Sequence, residues 1–241
     1  MLELRDAHAR VARDLRVSLT DRCNLRCVYC MPAEGMQWIP RDETLTDDEV
    51  VRLIRVGVEQ LGITKVRFTG GEPLIRPGLA SILTRVKQLR LPDGTAPETA
   101  LTTNGIGLAP KVEELRDAGL DRVNISIDSL DEARYAQMSR RNRLPDVLEA
   151  IAASHAAGLR PVKVNAVIMR GINEVDVVPL AEFALKGGYE LRFIEQMPLG
   201  PKGEWHRHDM VTAQELLDAL GARFQLSPAT EPRGAAPAEL W

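Results

Sequence analysis

Short runs in which apolar and polar residues alternate recur along the chain, separated by longer stretches with apolar residues at helical spacing. The alternating runs predict strands at Leu15–Thr20, Lys65–Thr69, Thr99–Thr103, Val123–Ile127, Val162–Val167 and Leu191–Ile194. The longer stretches predict helices at Asp47–Leu61, Gly78–Leu89, Pro110–Ala118, Pro145–Ala157, Val177–Lys186 and Ala213–Leu220. Thr46 and Glu49 have the spacing of a capping box, and Leu45 and Val50 that of a hydrophobic staple. Gly62, Gly119, Gly158 and Gly187 stand where helices should end. Such repeated β–α alternation implies a parallel sheet with helices outside, either open or curled into a barrel.

In a barrel, alternate residues of each strand face the helices and the lumen. Leu15, Val17, Leu19, Val66 and Phe68 are expected to face helices. That turns Arg16, Ser18, Thr20, Lys65, Arg67 and Thr69 inward. Thr102, Asn104, Asn124, Ser126, Asp128, Lys163, Asn165 and Arg192 follow by the same alternation. A closed barrel normally fills its lumen with branched apolar side chains. Here Arg16, Arg67, Lys163 and Arg192 need partners, because an unpaired buried cation is costly. Asp128 can serve one of them and not four. An anionic ligand, best a phosphorylated one, would satisfy the rest.

Composition narrows the setting. The 241 residues suffice for one large domain, and 44% hydrophobic with 27% charged residues is ordinary for a folded chain. No apolar run reaches the roughly 18 residues of a membrane span. Residues Met1 to Arg13 hold no apolar signal region, so a cytoplasmic location is expected. A net charge of −3 gives no general reason to expect nucleic acid or a membrane as partner.

All three cysteines lie in one Cys23-x3-Cys27-x2-Cys30 run, unlike the spread of a disulfide scaffold. Three thiolates can hold three irons of a 4Fe–4S cube and leave the fourth iron open. Zinc and three incidental thiols are the alternatives. Zinc wants a fourth ligand, and no histidine lies between Asp14 and Ser154. Spacing alone leaves this choice open.

The motif has an aromatic residue, Tyr29, before its last cysteine, and the run Thr69-Gly70-Gly71-Glu72-Pro73 follows the second predicted strand. Together they resemble the radical S-adenosylmethionine (SAM) superfamily. Further segments resemble its GTP 3',8-cyclase family, which opens molybdenum cofactor biosynthesis. These include Asp14 to Cys23, Arg67 to Leu74, Leu101 to Gly105, Asn124 to Ser129, Val162 to Asn165, Gly171 to Asn173 and Arg192 to Glu195. The resemblance implies an α/β fold, a partial (β/α)6 TIM-like barrel of parallel strands with helices outside. It implies one 4Fe–4S cluster on Cys23, Cys27 and Cys30. SAM contacts would fall on Tyr29, Gly71, Ser126 and Met197, and GTP contacts on Arg16, Arg67, Thr102 and Lys163. Three of those four GTP contacts are cations that strand alternation already turns inward. The implied chemistry is that of a lyase. Reductive cleavage of SAM gives methionine and a 5'-deoxyadenosyl radical, which takes the 3'-hydrogen of GTP, and the ribose radical then attacks C8 of guanine. An electron donor such as a flavodoxin or ferredoxin is implied. A homodimer is compatible with the sequence but not specified by it.

The family carries a second cluster on three cysteines beyond the barrel, whereas no cysteine follows Cys30 here. The expected organisation is an N-terminal extension at 1–14, the barrel at 15–220 and a truncated irregular tail at 221–241, matching the first two-thirds of the family pattern. Two other readings stand beside GTP cyclisation: a radical SAM enzyme with another substrate, and a non-catalytic iron–sulfur or scaffold remnant. His206 and His208 read as exposed loop residues, and the Arg140 to Arg143 run as a solvated loop.

Overall fold

The computed structural model describes residues 3–198, 205–230 and 238–241. Residues 231–237 of the expected tail therefore lie outside the described residues. Six strands form one sheet: β1 (Asp14–Ser18), β2 (Lys65–Thr69), β3 (Glu98–Thr103), β4 (Arg122–Ser126), β5 (Val162–Ile168) and β6 (Glu190–Glu195). All neighbours are parallel and stand in chain order, with β1 and β6 at the edges. Among the described residues seven α-helices connect or follow them: α1 (Asp47–Gln60), α2 (Leu79–Lys87), α3 (Val112–Asp117), α4 (Glu132–Ser139), α5 (Leu144–Ala156), α6 (Val177–Gly187) and α7 (Ala213–Gly221). This is an α/β partial barrel: alternation predicts the parallel sheet with helices outside, and the resemblance implies the barrel. No helix among the described residues is long and apolar enough to cross a membrane.

The core lies between the helices and the outer face of the sheet. Val66, Phe68, Leu101, Val123, Ile125 and Val164 point from the strands into a layer with Ile54 and Val58 of α1, Ile82 and Leu83 of α2, and Ile151 of α5, all buried. Each such side chain contributes about 1.5–3 kcal/mol by leaving water, which commits the opposite strand face to the lumen. The Thr46–Glu49 capping box is present, satisfying the open N–H groups at the start of α1. Leu45 stays about half exposed, so the expected staple does not bury it.

Two expectations change. The left-handed residue that ends α6 is Gly188 (φ 68°), while Gly187 is the last helical residue. Helix α4 has no counterpart in the expected elements. It is eight residues long and buries little beyond Tyr135 and Met138, too few for a periodic signal, and the Asp131 side chain caps it by accepting from the Arg134 N–H.

Candidate active site

The cysteine loop follows β1 at the carboxyl ends of the strands and is held there at four places. The first is the segment after β2. The Gly71 N–H donates to the Thr20 carbonyl at 2.6 Å, and the Glu72 N–H donates to the Arg22 carbonyl at 2.7 Å. A Cβ on Gly71 would stand 2.1 Å from the Arg22 oxygen, so only glycine allows the two backbones to approach this closely. Gly71 spends its N–H in this contact, which leaves its carbonyl for any ligand.

The second tie runs to the end of β3. The Asn104 Nδ2 donates to Asn24 Oδ1 at 2.6 Å and stands 3.9 Å from the Cys23 sulfur. Glu72 fixes Asn104 in turn. Its fully buried carboxylate accepts from the Thr103 hydroxyl (2.7 Å), the Asn104 N–H (2.8 Å) and the Leu74 N–H (3.0 Å). Burial raises the Glu72 pKa against the lowering effect of these three donors.

The third tie runs to β4: the Tyr29 hydroxyl donates to Asp128 Oδ2 at 2.9 Å. The other Asp128 oxygen accepts from the Val167 N–H at 2.9 Å, and the Asp128 carbonyl accepts from Asn173 Nδ2 at 2.6 Å. Burial pushes Asp128 up to about 6, opposed by the donors from Val167 and Tyr29.

The fourth tie comes from α4. The Val28 and Arg26 N–H groups donate to the Met138 and Ser139 carbonyls at 2.9 and 3.3 Å. Arg140 Nη1 donates to the Met31 and Arg26 carbonyls at 3.0 and 3.2 Å. The Arg140 to Arg143 run is exposed, as expected of a solvated loop, and within it Arg140 also clamps the cysteine loop. Its left-handed backbone (φ 57°) turns the chain back toward that loop. Inside the loop, Arg26 donates to the Cys23 and Leu25 carbonyls at 2.8 Å each and lies 5.3 Å from the Trp38 ring centroid.

Cys23, Cys27 and Cys30 are free thiols, the first two half-buried and the third exposed. Burial raises all three, and pushes Cys27 up to about 12 with help from the negative charges of Asp128 and Cys23. Thiols so placed ionise only when positive charge is brought to them, which is what a metal cluster does. Three thiols in one loop are the donor set of a 4Fe–4S cluster with one iron left open, whereas structural zinc wants four ligands.

Below the loop, the strand register sorts the lumen into layers. Asp14, Lys65 and Glu98 share the lowest row, and Arg16, Arg67, Ala100 and Arg122 the next. Thr102, Asn124, Lys163 and Glu190 share another. Ser126, Asn165 and Arg192 lie together nearer the mouth. The register thus brings Arg16 beside Arg67, and Thr102 within two strands of Lys163. Met197 follows β6 and is about half exposed. His206 and His208 are exposed, with their rings stacked.

The expectation that Asp128 could serve one of the lumen cations is not met. Asp128 is engaged by Tyr29 and Val167. The cations pair instead with carboxylates at the strand starts: Arg67 with Asp14 at 2.8 Å, Arg122 with Glu98, and Lys163 with Glu190. β1, β3, β4 and β6 each begin one residue earlier than expected, on Asp14, Glu98, Arg122 and Glu190. Those polar starts carry no apolar signal, so alternation of β-branched residues could not reveal them.

The pairing is incomplete. Arg16 is exposed, and burial together with the neighbouring Arg122, Arg16 and Arg192 charges holds the Arg67 pKa below its usual value against the opposing pull of Asp14. Arg67 Nε, Asn124 Oδ1, Asn165 Oδ1 and Gln196 Oε1 are buried without hydrogen-bond partners. Such atoms are rare in a folded protein unless a ligand or water meets them.

The description "Radical SAM superfamily" matches residues 17–184. The chain is 60% identical over 236 residues to the GTP 3',8-cyclase of Corynebacterium glutamicum, covering 98% of this chain and 63% of that protein. It is 54% identical to the GTP 3',8-cyclase of Streptomyces coelicolor, covering 98% of this chain and 68% of that one. The chain thus spans a little under two thirds of the length of its C. glutamicum relative. Among solved structures, Streptococcus suis SuiB bound to S-adenosylmethionine shares the fold with a TM-score of 0.66, at 17% identity over 87% of this chain and 44% of that one. The cysteine loop at the mouth of a six-stranded parallel barrel, with this match over most of the chain, makes the protein a member of the radical SAM superfamily.

Proposed function

We propose that the chain holds one 4Fe–4S cluster on Cys23, Cys27 and Cys30, binds SAM beside it, and acts on GTP as a 3',8-cyclase, the activity its relatives are named for. The observation that carries the substrate is the lumen: Arg16 with Arg67 in one register row, and Lys163 with Thr102 and Asn124 in another. Arginine and lysine in fixed rows suit a triphosphate, while the unsatisfied amide oxygens of Asn124 and Asn165 can accept from donors of a sugar or base.

Cys23, Cys27 and Cys30 would hold the cluster, which, with a donor such as a flavodoxin or ferredoxin, would supply the one-electron chemistry that makes SAM a source of a hydrogen-abstracting radical. The chain's own residues bind and orient. Tyr29, Ser126, Met197 and the Gly71 carbonyl stand around the mouth to receive SAM, and Arg16, Arg67, Thr102 and Lys163 receive the nucleotide below it. In this reading SAM at the mouth and the nucleotide in the lumen would be held side by side, so that proximity replaces a bimolecular encounter. A cytoplasmic location agrees with three thiols kept free for metal.

Anaerobic reconstitution of the chain tests this reading. One 4Fe–4S cluster per chain, reductive release of 5'-deoxyadenosine from SAM, and loss of the 3'-hydrogen of bound GTP are expected. A colourless protein holding one zinc ion would overturn the cluster. Deoxyadenosine release with no GTP binding would move the substrate assignment to another radical SAM reaction.

A further inference from the structure

Three lumen cations carry carboxylates that reach in from the rim opposite the cysteine loop. Asp14, Glu98 and Glu190 each stand at the first position of a strand, and they pair with Arg67, Arg122 and Lys163. Lys65 shares Glu98 at 3.3 Å. The two sides of these pairs differ in exposure. The Arg67, Arg122 and Lys163 side chains are 15%, 13% and 19% exposed, whereas Asp14, Glu98 and Glu190 are 38%, 34% and 55% exposed. The cations belong to the lumen wall, and the carboxylates lie against them from the solvent side.

A half-exposed carboxylate holds its partner weakly, because water competes for both charges. Rotating it back into solvent costs little, while the cation it leaves stays in the wall. Arg16 and Arg192 add positive charge around Arg67. The cations of the wall therefore outnumber the carboxylates even with every pair made.

We infer that Asp14, Glu98 and Glu190 are exchangeable counter-ions, displaced from Arg67, Arg122 and Lys163 when a polyphosphate enters. This rests on the reading of the lumen as a polyphosphate nucleotide site. A triphosphate carries its charges on one covalent frame, so once its first phosphate is seated the others meet the remaining cations at high effective concentration. Each carboxylate it displaces returns to solvent, and the small pair energy given up is subtracted from the binding. Removing one carboxylate therefore frees its cation and strengthens polyphosphate binding.

Calorimetric titration of the anaerobically reconstituted full chain with inorganic triphosphate and GTP provides the test, using wild type, Glu98→Gln and Glu190→Gln. Both replaced side chains lie at the rim and neither belongs to the core, so if one variant fails to fold the other still decides. Each variant should bind triphosphate and GTP about threefold tighter than wild type. Weaker binding would overturn the inference, since the carboxylates would then orient the cations and not compete for them. Wild type that binds neither triphosphate nor GTP would remove the nucleotide reading itself. Wild type that binds GTP, with variants of unchanged affinity, would remove only the counter-ion role.

Discussion

The Tyr29 hydroxyl donates to the Asp128 carboxylate at 2.9 Å, joining the cysteine loop to the end of β4 across 99 positions of sequence. The bond is buried at the carboxylate, whose pKa is raised by burial to about 6. Donors from Tyr29 and Val167 are what oppose that rise, so the loop and the charge state of Asp128 depend on one another.

Tyr29→Phe removes the tie without changing the ring. A hydrogen bond to a charged buried group is worth about 1.5–3 kcal/mol, and the variant should lose stability on that scale in urea unfolding at neutral pH. Iron should also leave the reconstituted variant faster under a chelator. Wild-type values for both would show that the loop is held without this bond.

Glu72 is the buried hinge between the segment after β2 and the end of β3. Glu72→Gln puts an amide donor where two backbone N–H groups and a hydroxyl now donate. Opposed donors in a site without water should cost about 2–4 kcal/mol, read as a lowered urea midpoint at unchanged slope. Because Glu72 positions Asn104, which reaches Asn24 and Cys23, cluster occupancy should fall as well.

Acid should release α7 before the barrel. Glu215 completes the capping box of α7 and pairs with Arg170 at 2.6 Å. The Thr212 backbone N–H, then Arg170 and the Thr212 hydroxyl, lower its pKa from 4.5 to about 2. The sign follows from linkage: a carboxyl whose folded pKa is depressed stabilises above its unfolded value and loses that contribution as pH falls. Protection factors of the α7 amides, measured against the intrinsic exchange rate at each pH, should therefore fall between about pH 4.5 and about pH 2. Glu215→Gln should exchange faster at neutral pH and lose that acid dependence.

Lys163→Ala should weaken GTP binding about ten- to a hundredfold, by removing a half-buried cation from the row it shares with Thr102 and Asn124. Cluster content should stay unchanged, because Lys163 lies below the mouth. Equal GTP affinity in the variant would move the triphosphate elsewhere.

Alternation in the sequence was enough for a parallel sheet with helices outside, and spacing for three cysteines in one loop; the barrel and the cluster followed from the family resemblance. Six strands with one face apolar must turn the other face inward, and three cysteines within eight positions are local by construction. The Thr46–Glu49 cap was legible for the same reason, since its partners are three residues apart. The tertiary structure alone decided what neutralises the lumen and what holds the cysteine loop. Arg67 meets Asp14, Asn104 meets Asn24, and Tyr29 meets Asp128 only because strands far apart in sequence stand side by side in register. Arg140 does lie in an exposed run, but only α4, too short to announce itself, brings its guanidinium to the Met31 and Arg26 carbonyls. Periodicity reports which face a residue occupies. It carries no information about which partner waits across that face, because pairing between distant segments is set by packing of the whole core.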